Sequence, residues 1–149
     1  MESYNYEKDL DIDKHSLDLQ WVSQPRLYMN YAMKAENADA EYRKAKENLE
    51  IVYAQVYQEE RSRLEKEGKV TEALISSAVA VNEKHIKAKK EVESKLYESG
   101  IYKAATRAFE QKKKALENLV QLYLAGYWSA PQQNSEKVRK NIRGKKNEK

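Results

Sequence analysis

A single stripe of residues constrains this chain more than anything else in it. Tyr28, Tyr31, Ala35, Ala38, Tyr42, Ala45, Leu49, Val52 and Val56 follow one another at alternating steps of three and four. That spacing puts every member on one side of an α-helix, and four unbroken heptads of it demand a second helix to pack against. Alanines in the stripe let a neighbour approach closely. Tyrosines fill the wider gaps while keeping a hydroxyl at the rim. Arg43, Lys44, Lys46 and Glu47 fall between the stripe positions.

The breakers set the extent of the helices. The two prolines are Pro25 and Pro131, and between them the glycines are Gly68, Gly100 and Gly126. Proline near a helix start and glycine just past its end is the usual asymmetry. The pattern predicts a first helix from about Pro25 to Gly68, ~60 Å long at 1.5 Å per residue. A second helix starts near Thr71, whose hydroxyl can cap it, and reaches Gly100, from where it continues to about Gly126. Its stripe reads Leu74, Ala78, Val81, His85, Ala88 and Val92, then Ala105, Phe109, Leu116, Leu119 and Tyr123, with Lys112 occupying one slot of the seam. A short turn at Gly68 makes the two helices antiparallel neighbours. The expected fold is all-α: a long antiparallel helical hairpin with a further C-terminal helix, oligomerising. Residues 1–24 form an acidic N-terminal segment, 25–130 the helical domain, and 131–149 a disordered basic tail.

Oligomerisation follows from the apolar residues that lie off the stripe: Ile51, Ile75, Val79, Ile86, Val120, Leu122 and Leu124. A hairpin buries one stripe per helix, so these need another surface, and a homo-oligomer supplies it. The alternative is a monomeric three-helix bundle in which the segment after Gly100 folds back.

Composition removes whole classes of function. The chain of 149 residues has no cysteine, which excludes disulfides, thiol catalysis and cysteine-bound zinc and suits a reducing compartment. No apolar run approaches the roughly 18 residues of a membrane span, and the acidic start lacks the plan of a signal peptide. A soluble, non-secreted protein is expected. The two histidines, His15 and His85, are far apart in sequence, too few for a metal site. Carboxylates alternate with lysine and arginine, as on a solvated helix face. There is no glycine-rich phosphate loop and no nucleophile elbow. Neither enzyme activity nor a cofactor is expected, and no residue is assigned a catalytic or metal-binding role.

Nucleic-acid binding fits better. Its ingredients are cations for phosphates and aromatic faces for bases. Tyr53, Tyr57 and Arg61 share one helix face at i, i+4 and i+8, and Arg63 follows just before the turn. Further basic clusters are Lys84, Lys87, Lys89 and Lys90, then Lys103 and Arg107, then Lys112, Lys113 and Lys114. The formal net charge is only +4, so affinity would have to be summed over several subunits along one strand.

The segment DLDIDKHSLDLQWVSQPRLYMNYAMKAENADAEYRKAK opens with an I-D-x(3)-L pattern and continues to P-x-L-Y-x(2)-Y; YQEERSRLEKEGKVTEALI and LENLVQLYLAGYWSAP follow. Across residues of about 10–130 this resembles the phage recombination mediators of the UvsY-like family. The resemblance implies a small helical phage protein in the host bacterial cytoplasm that forms rings of about six or seven subunits, a closed cyclic assembly. It implies non-specific binding of single-stranded DNA and help in loading a RecA-like recombinase onto strands covered by single-strand-binding protein. The family's DNA-contacting basic pair corresponds to Arg61 and Arg63 in Arg61-Ser62-Arg63-Leu64-Glu65, and its oligomerising part to about Phe109–Tyr127. Tyr53 and Tyr57 would add stacking. The chain departs from the family in its basic tail after Pro131. The competing expectation is a non-enzymatic helical scaffold or adaptor of phage assembly.

Overall fold

The computed structural model of the protein describes residues 6–68 and 70–128. The expected basic tail, residues 131–149, lies outside the described residues. Four helices follow in order: α1 (Tyr6–Leu10), α2 (Leu17–Lys66), α3 (Glu72–Val81) and α4 (Glu83–Leu124). No strand occurs among the described residues. α2 and α4 form the long antiparallel hairpin that the heptads predict, α3 packs on the C-terminal end of α2, and α1 docks on α4.

The register is fixed by contacts along the whole seam. Tyr31 stacks on Phe109 with ring centroids 4.6 Å apart. Ser99 Oγ donates to Asp39 Oδ1 at 3.2 Å, and Lys103 of α4 pairs with the same carboxylate. These bonds hold the Asp39 carboxyl below its usual range, the Lys103 hydrogen bond being the largest cause. At the far end Lys84 Nζ reaches both carboxylate oxygens of Glu59 at 2.9 Å.

The first-helix stripe is the seam. Tyr31, Ala35, Ala38, Ala45 and Val56 are buried, and Tyr28, Tyr42, Leu49 and Val52 are half-buried beside them. Two apolar clusters result. Val56, Leu64, Ile75 and Val79 join α2 to α3, while Tyr31, Ala105 and Phe109 join α2 to α4, with Tyr6 and Leu10 of α1 packed against them.

Four details differ from the sequence expectation. First, α2 begins at Leu17, so Pro25 lies inside it rather than at its start. Proline deprives the Trp21 carbonyl of its helical donor. Contacts made by the turn just before it hold the helix regardless. Gln20 Nε2 donates to the Asp13 carbonyl at 2.6 Å, and the buried Gln24 Nε2 donates to the Phe109 carbonyl at 2.6 Å.

Second, a break at Asn82 (φ −68, ψ 130) divides the second helix into α3 and α4. The Asn82 side chain accepts from Lys84 N at 3.0 Å, restarting the helix as a cap. Because the break resets the helical phase, the stripe shifts before it. Ile75 and Val79 are core, whereas Leu74 and Val81 are exposed.

Third, α4 runs through Gly100 to Leu124, so the segment after Gly100 neither forms a further C-terminal helix nor folds back as a third one. Tyr123, assigned to the seam, is exposed at its end. Fourth, the acidic N-terminal segment contains α1, which no apolar periodicity signals.

The predicted stops hold. Thr71 accepts from Leu74 N at 3.3 Å, and Gly68 takes a left-handed φ of 78° that ends α2. After α4, Gly126 (φ 68°) donates to Tyr123 O and Tyr127 to Leu122 O, the paired bonds of a Schellman motif.

Candidate nucleic-acid interface

The residues expected to meet a strand lie at the α3 end of the hairpin. Helical spacing puts Tyr53, Tyr57 and Arg61 on one face of α2. The Tyr53 and Tyr57 rings are 6.2 Å apart and tilted by 32°. Their surroundings differ. Tyr57 packs against the Val56–Ile75 cluster, and its hydroxyl donates to Glu72 Oε2 at 2.6 Å. That hydrogen bond, chiefly, raises the Tyr57 phenol above its usual value. Tyr53 is 43% exposed, and His85 stands edge-on to its ring at 5.8 Å between centroids.

Both arginines are exposed and paired with carboxylates three or four residues away. Arg61 Nε donates to Glu65 at 3.0 Å. Arg63 Nε donates to Glu60 at 2.8 Å, and its Nη1 to Glu67 at 3.2 Å. The carboxylates raise both guanidinium values, and Arg63, then Asn82, lowers that of Glu60. The solvent-exposed pairs with Glu65 and Glu67 contribute little to stability and exchange readily for another anion. Arg61 and Arg63, two residues apart, point to different sides of the helix. Arg63 and Asn82 share the Glu60 carboxylate, which ties the arginine's side to the α3–α4 junction.

Three further residues join this region: Lys84 and His85, which sequence spacing assigns to a basic cluster and to the stripe, and Asn82, to which it gives no role. Lys84 crosses from α4 to Glu59, His85 meets Tyr53, and Asn82 meets Glu60. Their signal was the capping potential of Asn82 ahead of Glu83, hidden inside an apparently continuous stripe. Among the other basic clusters, Lys87, Lys89 and Lys90 are exposed on α4, and Lys103 is tied to Asp39. Lys112 is no surface cation. It is buried in the seam slot its spacing indicated, with its ammonium on main-chain carbonyls of the N-terminal segment.

No cluster of three or more His, Asp or Glu side chains able to hold a metal occurs among the described residues. No helix there is long and apolar enough to cross a membrane. The chain matches no family model, no curated protein and no solved structure.

Proposed function

We propose that this protein is a non-enzymatic recombination mediator. It binds single-stranded DNA without sequence preference and helps load a RecA-like recombinase onto strands covered by single-strand-binding protein, in the cytoplasm of a phage-infected bacterium. The observation that carries the reading is the exposed face at the α3 end of the hairpin, where the open ring of Tyr53 and the guanidinium of Arg61 lie along one stripe and Arg63 stands beside the turn. A base has a ring to stack on and a phosphate has a cation to meet, contacts that hold any sequence alike. Several copies in a ring would repeat this face along one strand, and avidity would raise a weak single contact to useful affinity.

The second reading, a helical scaffold or adaptor, draws on a different observation. Each of these arginines already has a carboxylate partner, and the opposite end of the hairpin exposes Trp21, Val22, Met29 and Met33, apolar side chains suited to helix partners.

Fluorescence anisotropy of a labelled oligo-dT separates the two. The mediator reading expects binding at low salt that weakens as salt rises, with a slope of roughly −0.7 per phosphate contact on a log–log plot. Replacing Arg61 and Arg63 together with alanine should weaken binding roughly tenfold by removing phosphate contacts, with helix content unchanged. Unchanged affinity would remove the site from these residues. Absence of binding by the unmodified protein at low salt would favour the scaffold.

A further inference from the structure

The two faces of the hairpin are treated differently at its α1 end. On one, α1 and the chain after it cover the seam, with Tyr6 and Leu10 against the Phe109 cluster and Lys112 holding the Asp9 and Asp11 carbonyls. Elsewhere along the same helices runs an open groove. Three adjoining hollows of about 700, 460 and 400 Å³ share Tyr28 and Met29, or Trp21 and Glu117, and so form one channel. Along its α2 wall runs an apolar row, Trp21, Pro25, Met29 and Met33, at successive steps of four, with Gln24 beside it and Asp18, Glu36 and Asn37 towards its ends. Met29 is 58% and Met33 56% exposed. Its α4 wall is charged: Arg107, Glu110, Lys114 and Glu117.

We infer that this groove is the contact between two copies of the chain, packed face to face and antiparallel about a two-fold axis level with Tyr28. The residues select this order. A two-fold contact sets each patch against itself. With the axis across the helices, α2 lies on α2 and α4 on α4. Trp21 of one copy then falls over Met33 of the other, and Pro25 over Met29, so the apolar rows close on each other. On the α4 side Arg107 falls over Glu117, and Glu110 over Lys114. Both charge pairs and both apolar pairs centre on the same level of the hairpin, because Phe109 of α4 faces Tyr31 of α2. A parallel pair would lay the apolar row of α2 on the charged wall of α4, leaving methionines on lysines and glutamates. The antiparallel order has one like-charge pair, Asp18 over Glu36, at the ends of the groove, where solvent screens it. Methionine suits such a seam, since its unbranched chain fills irregular gaps. A two-fold contact closes on itself and pairs copies rather than building the ring of the proposed function, so this inference stands apart from that reading and from strand binding.

Light scattering of the full chain at micromolar concentration should give at least twice the 17.4 kDa of the monomer. Met29→Glu, at a position open to solvent in the single chain, should return the mass to that of the monomer with the helical circular dichroism retained. Charge reversal tests the order. Arg107→Glu and Glu117→Arg should each shift dissociation to at least tenfold higher concentration, and the two together should restore association. These positions are too far apart on one helix to compensate within a copy. Should Met29→Glu disrupt the helices, the charge pair alone decides. A monomeric unmodified chain overturns the inference and leaves the groove to a partner of different sequence. Unaltered mass in a folded Met29→Glu overturns it as well, and failure of the double reversal to rescue overturns the antiparallel order. An Arg61/Arg63 variant that still binds oligo-dT, beside a monomeric Met29→Glu, would remove the DNA site and leave this contact standing.

Discussion

The ammonium of Lys112 donates to the main-chain oxygen of Asp9 at 2.7 Å, and to that of Asp11 at 2.9 Å, from a seam position between Phe109 and Leu116 where a heptad calls for an apolar side chain. A buried cation is tolerated only when its hydrogen bonds are supplied. Here the N-terminal segment supplies them, and burial still pushes the lysine below its ordinary value, with Asp9 and Asp11 pulling it back up. The segment and the seam thus depend on each other. Lys112→Met keeps length and removes the donor. It should leave the hairpin's helix content intact but weaken docking of residues 6–12 by roughly 2 kcal/mol, the loss of charge-assisted bonds. Hydrogen exchange should speed up in that segment alone. Unchanged protection there would mean that apolar contacts of Tyr6 and Leu10 suffice to hold it.

Tyr31 offers a pH handle on the same junction. Its hydroxyl donates to Asp9 Oδ2 at 2.8 Å, and its phenol is raised from 10.0 to about 12, first by burial and then by that bond. A raised value means that the folded state holds the proton longer, so this stability is intact below pH 10 and is lost as pH rises towards about 12. Lys112, whose value is lowered, acts in the opposite sense, gaining stability with rising pH, but below its ordinary 10.5. Urea unfolding at pH 9 and at pH 11.5 should show the loss in the native chain. Tyr31→Phe, which keeps the stack on Phe109, should show a clearly shallower decline. Equal declines in both would place the alkaline sensitivity elsewhere.

The α2 stripe was legible because one uninterrupted helix keeps one phase: Tyr31, Ala35, Ala38, Ala45 and Val56 are buried as the steps of three and four require. The same counting failed across Asn82, since one residue with ψ 130 turns everything before it relative to everything after. Leu74 and Ile75 exchanged roles for that reason. The helical start before Pro25 was hidden for another. Proline there costs a backbone bond, and only tertiary contacts, such as Gln24 to the Phe109 carbonyl, show why the helix tolerates it. At the candidate interface, sequence spacing correctly aligned Tyr53, Tyr57 and Arg61, but it could not separate an open ring from a packed one, nor bring His85 and Lys84 alongside.

The shifted phase of α3 makes a direct comparison. Ile75 is fully buried between α2 and α3, whereas Leu74, one residue away, is 45% exposed. Ile75→Ala should cost about 2–5 kcal/mol in chemical denaturation, the range for a core aliphatic losing its side chain. Leu74→Ala should cost less than about 1 kcal/mol, as at other exposed positions. The reverse ranking would mean that the heptad continues through Asn82 in solution and that α3 and α4 are one helix.

The two tyrosines of the candidate interface should separate in the same manner, with binding as the readout for one and stability for the other. Tyr57 is committed to the fold: its ring backs the Val56 cluster and its hydroxyl holds Glu72, the first residue of α3. Tyr57→Ala should therefore loosen α3, seen as faster hydrogen exchange over residues 72–81, and change strand affinity only as a consequence. Tyr53 is 43% exposed, with His85 in a T-shaped contact against its ring. An aromatic that stacks on a base contributes about 1–3 kcal/mol. Tyr53→Ala should thus weaken oligo-dT binding roughly tenfold or more at fixed salt, while Tyr53→Phe, which keeps the ring, should bind like the unmodified chain. Because stacking releases no counterions, the salt slope should stay the same in Tyr53→Ala and fall only when Arg61 and Arg63 are removed. A Tyr53→Ala variant with unaltered affinity would leave charge as the sole means of holding the strand.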